Sequence, residues 1–194
     1  MKTRMSPAAG VMLAVLLAVT GCAGTAGDDD DMPGTDHSSG AAVDANEDDI
    51  EFAQTMIAHH QQAIAASEIV AEKEDVDASV TELADRITVA YETDIDQLET
   101  WLEEWHAEAD DDVEADDAEG MITDADLDSL RNASGADAGS LYLEQMIADH
   151  EGAIDIAEEH IEEGKNPGAI DLSKKIVATQ ALEIERMKEI LEAL

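Results

Sequence analysis

Residues 56–64 read Met-Ile-Ala-His-His-Gln-Gln-Ala-Ile, and residues 146–154 read Met-Ile-Ala-Asp-His-Glu-Gly-Ala-Ile. An aromatic residue, Phe52 or Tyr142, precedes each stretch by one helical turn. The apolar residues recur at the spacing that is typical of an amphipathic helix. The chain therefore contains two copies of one helix.

A second helix follows each copy and carries the same apolar pattern. The matched positions are Leu83 and Leu172, Ile87 and Ile176, Ile95 and Ile184, Leu102 and Leu191, with Leu98 opposite Met187 and Asp94 opposite Glu183. One hairpin cannot bury both apolar faces, so we expect the two hairpins to pack as an all-α four-helix bundle. The long link between the hairpins favours a ferritin-like arrangement, with a short extra helix in the central crossover.

Capping and breaking residues predict where the helices begin and end. Asn46 and Thr123 are expected N-caps, Ser134-Gly135 is an expected break, and Asn166-Pro167 is an expected restart. We expect repeat one at 47–106, a linker with the short helix at 107–137, and repeat two at 138–194. The helices should cover about 47–73, 77–106, 123–133, 138–163 and 167–194.

The N-terminus is typical of an exported lipoprotein. A basic start precedes an apolar run from Gly10 to Thr20, which is shorter than the roughly 20 residues of a membrane-spanning helix. The sequence Val-Thr-Gly-Cys at 19–22 resembles a bacterial lipobox, in which the cysteine is lipidated. We therefore expect a signal peptide at 1–21, lipidation of Cys22 and an acidic flexible tether at 22–46. The lipid would anchor the protein to the cell membrane, facing outside the cytoplasm.

The composition is strongly acidic, with 48 acidic and 10 basic residues and a net charge of -38. Such a charge repels nucleic acid and anionic lipid headgroups and concentrates cations. It also fits adaptation to high salt, in which self-repulsion is screened. We expect no nucleic-acid partner, a membrane contact through the lipid alone, and an aliphatic core, since aromatic residues are 3% of the chain. Homo-oligomerisation is left open.

The repeated helix face carries residues that can bind a metal ion. Residues three and four apart share one helix face. Counting from the hairpin bend at a rise of about 1.5 Å per residue places Met187 of the fourth helix at the height of Met146. Thioethers with imidazoles favour Cu(I), whereas Cu(II) or Zn(II) would need imidazoles and carboxylates. Methionine and histidine on such a face are also common core residues. The candidate metal ligands are Met56, His59, His60, Met146, Asp149, His150 and Met187.

Two other functions stay open. One is a structural or protein-interaction bundle without a functional metal. The other is a ferritin-like di-iron enzyme, which needs paired Glu-x-x-His motifs. The second helix offers only Glu103-x-x-His106, near its end and without a second copy. No Ser–His–acid set stands out, and the one cysteine is the lipidation site, so we expect no catalysis.

The repeated stretches resemble the Met-Ile-x-His-His-x-x-Ala-Ile signature of domain-of-unknown-function family 305. The segments 120–123, 130–135 and 176–187 agree with that family, and the resemblance covers about 48–194. It implies a ferritin-like bundle that is commonly secreted or lipid-anchored. It also implies a link to copper, since a periplasmic branch of the family is described as copper-binding through His and Met.

The resemblance carries over only to positions that match the family pattern. Asp149 stands where the family has a second His, Ala66 and Ile156 stand where a Met is common, and Leu98 replaces the Met of the second helix. The resemblance therefore implies an attenuated donor set and a non-catalytic role in copper binding, storage or resistance. The matching positions are Met56, His59, His60, Met146, His150 and Met187.

Cys22→Ala should abolish lipid attachment in a bacterial host, because the lipobox cysteine is the acylated residue. The wild type should partition into detergent, and mass spectrometry should find acyl chains on its N-terminal peptide. Acyl chains on the Cys22→Ala protein would contradict the lipobox interpretation.

Overall fold

The computed structural model describes residues 44–107 and 120–194. The predicted signal peptide, Cys22, most of the predicted tether and the acidic stretch 108–119 lie outside these ranges. No strand occurs in the described ranges, which confirms the all-α prediction. Within them, no helix is both long and apolar enough to cross a bilayer. The helices are α1 (Glu47–Ala71), α2 (Ala78–Trp105), α3 (Asp124–Asn132), α4 (Gly135–Glu163) and α5 (Pro167–Ala193).

The predicted capping residues begin three of the helices. The Asn46 side chain accepts a hydrogen bond from the backbone N–H of Asp49 (3.0 Å), and the Asn46 backbone N–H donates to the Asp49 carboxylate (2.7 Å). This reciprocal capping box satisfies two donors at the start of α1. Thr123 caps α3 in the same way, and Asn166 caps α5. Polar turn residues thus set the starts of these helices.

Helix α4 begins earlier than predicted. The sequence favoured a start near Ala138, with Ser134-Gly135 as a loop, but the helix begins at Gly135 itself. Gly135 has a φ of +53°, a conformation that glycine adopts without the steric cost of a side chain. The chain therefore turns and enters α4 directly.

The helices of each hairpin pack along each other, and the two hairpins meet through α1 and α4. The backbones of α2 and α5 stay further apart, and α3 lies against α1 and α4. The crossover approaches α4 closely at Gly120, where a Cβ atom would lie 2.5 Å from the carbonyl oxygen of Ala148 and 2.9 Å from Cα of Gly152. Only a glycine fits this contact, so the backbone at Gly120 is seated on α4.

The core is mostly aliphatic, as predicted, but it also contains aromatic rings. Phe52, Tyr91 and Tyr142 are all buried. Phe52 stacks on the His160 ring at 4.1 Å between centroids, and Tyr91 stacks on the His60 ring at 3.7 Å. The few aromatic residues therefore pack beside buried histidines.

A buried carboxylate joins the start of α1 to the bend between α4 and α5. Asp49 accepts hydrogen bonds from the backbone N–H groups of Lys165 (3.1 Å) and Asn166 (3.0 Å), besides that of Asn46. It also accepts one from Nε2 of His160 at 3.0 Å. Burial alone would raise the pKa of Asp49, but these hydrogen bonds outweigh it and hold the pKa below its ordinary value.

The same contacts form a Ser–His–Asp set that the sequence did not indicate. The Ser173 hydroxyl lies 2.7 Å from Nδ1 of His160, whose Nε2 contacts Asp49. Ser173 and Asp49 are fully buried, and His160 is nearly so. A substrate cannot reach the Ser173 oxygen in this packing, so the set connects α1, α4 and α5 rather than exposing a nucleophile.

Asp49→Asn should lower the free energy of unfolding by about 2–3 kcal/mol, because charge-assisted hydrogen bonds to buried donors are lost. The folded-state pKa of Asp49 lies below the ordinary 3.8. Its contribution is therefore fully present above that value and is lost as the pH falls through the lower folded-state pKa. Urea denaturation should show the difference from the wild type shrinking below about pH 4.

The matched control is Asp171→Asn, which removes an exposed acid of α5 that pairs with Lys174. It should change the stability little. A difference between the wild type and Asp49→Asn that stays constant down to acid pH would contradict the assigned role of the Asp49 carboxylate.

Candidate metal centre

The bundle buries every predicted metal ligand. The seven side chains come from α1, α4 and α5, and each has no accessible surface. Repeated donor residues thus lie in the core rather than on the acidic surface. These residues are Met56, His59, His60, Met146, Asp149, His150 and Met187.

His59 and Asp149, which occupy equivalent positions of the two repeats, contact each other. Nδ1 of His59 lies 3.0 Å from Oδ1 of Asp149, and Oδ2 of Asp149 lies 3.7 Å from Nδ1 of His150. Within the described part of the chain, however, neither nitrogen of His59 and neither oxygen of Asp149 has a partner with hydrogen-bond geometry. The short His59–Asp149 distance is therefore an electrostatic contact and not a well-directed hydrogen bond.

The Asp149 carboxylate is held ionised in the core. Burial raises its pKa, but the neighbouring imidazoles of His59 and His150 outweigh burial and keep the pKa below its ordinary value. A buried carboxylate without directed hydrogen bonds costs several kcal/mol unless a positive charge compensates it. A protonated imidazole or a bound cation beside Asp149 would supply that charge.

His60 follows His59 in α1, and its imidazole stacks on the Tyr91 ring. Neither of its nitrogens finds a hydrogen-bond partner among the described residues, and Nε2 lies 4.0 Å from Oδ2 of Asp94. Burial lowers the pKa of His60 to about 3. The imidazole is therefore neutral at neutral pH, which is the form that binds metal ions.

His150, by contrast, has partners at both ring nitrogens. Nε2 contacts the Glu183 carboxylate at 2.9 Å, and Nδ1 lies 3.3 Å from the Tyr91 hydroxyl. The Tyr91 oxygen in turn accepts a hydrogen bond from Nε2 of Gln180 at 2.9 Å. Burial alone would lower the pKa of His150, but the carboxylates of Asp149 and Glu183 raise it overall. His150 is thus oriented by a polar network.

The network adds residues from the second helix of each hairpin that were not predicted as site residues. The repeat alignment had already matched Asp94 with Glu183, and the structure places each carboxylate beside the histidine of its own hairpin. In the same alignment, Tyr91 matches Gln180, its hydrogen-bond partner. Equivalent positions that contact each other indicate a local twofold relation between the repeats. The repeat register was the signal that could have identified Asp94 and Glu183, but it does not predict that Tyr91 and Gln180 contact each other.

The methionines divide between two parts of the core. Met146 and Met187 belong to one cluster of buried residues, together with Tyr91. Met56 belongs to a second cluster, together with Leu98. The two methionines of the second hairpin therefore lie in the same part of the core, and Met56 lies in the other.

The donor set fits a soft metal ion better than a hard one. No three His, Cys, Asp or Glu side chains within 44–107 and 120–194 are grouped so that they could hold a metal ion. The remaining donors are thioethers and imidazoles, several of them without other partners. Such donors suit Cu(I).

A profile of the family described as "domain of unknown function (DUF305)" matches residues 49–191. No curated protein matches the chain significantly. The family profile covers all five helices except for a few terminal residues.

Solved structures of this family share the fold. A DUF305 fragment from Deinococcus radiodurans is 26% identical, with a TM-score of 0.72 over 77% of this chain and 99% of its own. A DUF305 protein from Streptomyces coelicolor that is considered to be secreted is 28% identical, with a TM-score of 0.69 over 75% of this chain and 93% of its own. CopM in its Cu(II)-bound form is 26% identical, with a TM-score of 0.66 over 75% of this chain and 96% of its own. CopM has also been solved with Cu(I) and with silver.

Tyr91→Phe should lower the free energy of unfolding by about 1–3 kcal/mol, because the buried Gln180 amide loses its acceptor while the stacking on His60 is kept. Gln180→Leu added to Tyr91→Phe should cost less than Gln180→Leu alone. Chemical denaturation of the four proteins gives this coupling. Additive effects would contradict the Tyr91–Gln180 contact.

The matched control is Thr179→Val, which deletes an exposed hydroxyl that donates to the backbone of its own helix. It should leave the stability nearly unchanged.

Proposed function

The chain belongs to the DUF305 family, and from this membership we propose that it binds copper outside the cytoplasm without catalysing a reaction. CopM, which shares the fold, has been solved with Cu(I), Cu(II) and silver. A role in binding, storage or resistance is compatible with a site made of side chains alone.

One observation carries the proposal. His59, His60 and Asp149 are fully buried, yet their side-chain nitrogens and oxygens lack hydrogen-bond partners among the described residues. Buried polar atoms without partners destabilise a fold, so native proteins retain few of them without a functional reason. A cation bound by these atoms would compensate the cost.

The chemistry of the donors favours Cu(I). We expect the second hairpin to provide the stronger Cu(I) site, through the thioethers of Met146 and Met187 and through His150, whose imidazole would exchange one of its two present partners for the ion. The first hairpin has Leu98 in place of the second methionine and depends more on His59 and His60, a pair that also suits Cu(II).

The extracytoplasmic location is supported by two observations. The Streptomyces coelicolor relative is considered to be secreted, and the first residues of this chain are typical of a signal peptide. Lipidation of Cys22 and anchoring to the membrane belong to the same proposal.

The di-iron alternative has little support from the described residues. Glu103 and His106 are exposed at the end of α2, and a di-iron centre needs inward-facing carboxylates with two Glu-x-x-His motifs. The alternative of a structural bundle without metal is an outcome of the following test.

Silver, a redox-inert probe for Cu(I), should raise the melting temperature of the protein. A ligand bound only to the native state stabilises it by about 2.7 kcal/mol at a hundred times its dissociation constant. The double variant Met146→Leu/Met187→Leu should fold, because this exchange nearly conserves volume, but should lose most of the silver-dependent shift. Calorimetric titration should give a matching loss of affinity, and Zn(II) should bind the wild type more weakly than silver.

Met121→Leu is the matched control, because Met121 is also buried but is not in the donor set. It should keep the full silver response. The structural-bundle alternative is favoured if silver and Cu(I) leave the melting temperature of the wild type unchanged.

A further inference from the structure

We propose that Asp94 and Lys175 form the opening through which metal ions reach the buried donors, with Asp94 as the transfer ligand and Lys175 as the residue that closes it. This inference rests on the proposed metal-binding function. It concerns the path and the rate of binding rather than the identity of the bound ion.

The position of the opening follows from where the polar residues around the donors become accessible. The side chains of His59 and Asp149, between α1 and α4, have no accessible surface. On the side of α2 and α5, the side chain of Asp94 is 10% exposed and that of Glu183 is 33% exposed. The backbones of α2 and α5 also stay further apart than those of the other neighbouring helices. Partly exposed polar side chains therefore lead from solvent toward the donors between these two helices.

The two oxygens of Asp94 face opposite ways along this route. Oδ1 accepts a hydrogen bond from Nζ of Lys175 at 2.8 Å, and Lys175 is 57% exposed. Oδ2 faces Nε2 of His60 at 4.0 Å, too far for a hydrogen bond. A metal ion on the line between the two atoms, with bonds of about 2.0–2.2 Å to each as for zinc, would fill a separation of about 4 Å. Asp94 is thus placed to receive an ion from outside and transfer it to His60.

His60 gives the second, independent observation. It is fully buried, and neither ring nitrogen has a hydrogen-bond partner within the described ranges. An acidic residue at the surface would not suffice, but a carboxylate that faces an unpartnered buried imidazole points to a ligand.

An open groove on the outside of the bundle reaches Lys175. It has a volume of about 650 Å³ and lies mainly along α2. Lys175 is its lining residue from α5, whereas Asp94 does not line it. The exposed member of the Asp94–Lys175 ion pair is therefore accessible from the groove. The lining residues are Asp85, Arg86, Val89, Ala90, Thr93 and Lys175.

Lys175 opposes binding in two ways. Its ammonium group repels an approaching cation, and it occupies the carboxylate oxygen that would bind first. Without Lys175, both oxygens of Asp94 are available. Removal of the lysine should therefore speed both the uptake and the release of the ion. The equilibrium affinity should change by a smaller factor than either rate constant.

Stopped-flow measurements of silver uptake by the protein, with intrinsic fluorescence as the signal, test this inference. Lys175→Gln should raise the association rate constant about fivefold. This factor corresponds to the upper end of the free energy that an exposed ion pair contributes. Lys174→Gln is the matched control, because it removes the same charge one residue earlier and breaks only the exposed pair with Asp171. It reports the general effect of charge on the approach of a cation.

Asp94→Asn should slow uptake below the wild-type rate, since an amide binds a cation more weakly than a carboxylate does. The inference is overturned if Lys175→Gln and Lys174→Gln have equal rates, or if Asp94→Asn takes up silver as fast as the wild type. Calorimetry on the wild type separates the two proposals. Silver binding with unaltered rates in the variants rejects only the opening, whereas absence of silver binding rejects the proposed function and the opening with it.

Discussion

The contact between His59 and Asp149 lies where the two hairpins meet, and the arrangement of the donors depends on it. Both residues occupy the same position of the repeat, so the contact requires α1 and α4 to present the same face to each other. This packing brings His60 and His150 into one polar cluster, although they are far apart in the chain.

With histidine at both position 59 and position 149, two imidazoles would face each other, and protonation of both would be repulsive. Aspartate at 149 replaces that repulsion by attraction, at the cost of a buried carboxylate that requires a positive partner.

Two buried polar clusters in the same bundle differ in how completely their hydrogen bonds are made. Around Asp49, carboxylate, imidazole and hydroxyl groups all have partners, and the cluster fixes the bend between α4 and α5 against α1. Such a network specifies a fold and leaves no atoms for a ligand. Around Asp149, the atoms are as deeply buried but lack directed partners. The distinction assigns a structural role to the first cluster and favours a binding role for the second, although both contain histidine and aspartate.

Local signals in the sequence predicted most of the fold. Asn46, Thr123 and Asn166 begin helices because their side chains satisfy backbone donors within a few residues, and such short-range chemistry can be read from the sequence. The DUF305 membership and the all-α bundle are confirmed. The predicted start of α4 lies too late in the chain. Glycine often ends a helix, so the sequence predicts a break at Gly135, but with its positive φ this residue is the first of α4. The Asp49–His160–Ser173 set was missed because Asp49 lies 111 positions before His160 in the chain, although His160 and Ser173 are only 13 positions apart. The partners of the donor histidines could be seen in the repeat register, but nothing local indicated that Tyr91 and Gln180 would meet.

In the proposed function, the acidity of the chain and the softness of its interior donors act at different steps of metal binding. A net charge of -38 attracts any cation, so the surface field raises the local concentration of metal ions without distinguishing among them. Selection must then occur where water is excluded, since hard ions lose more hydration energy than thioethers and neutral imidazoles can replace. Met146, Met187 and His60 are fully buried and uncharged, so they offer little to Mg²⁺ or Ca²⁺. In the proposed opening, Lys175 lies between these two regions and slows the exchange of ions between the surface and the interior. The choice among ions is then made by the buried donors, whose softness sets the equilibrium affinity.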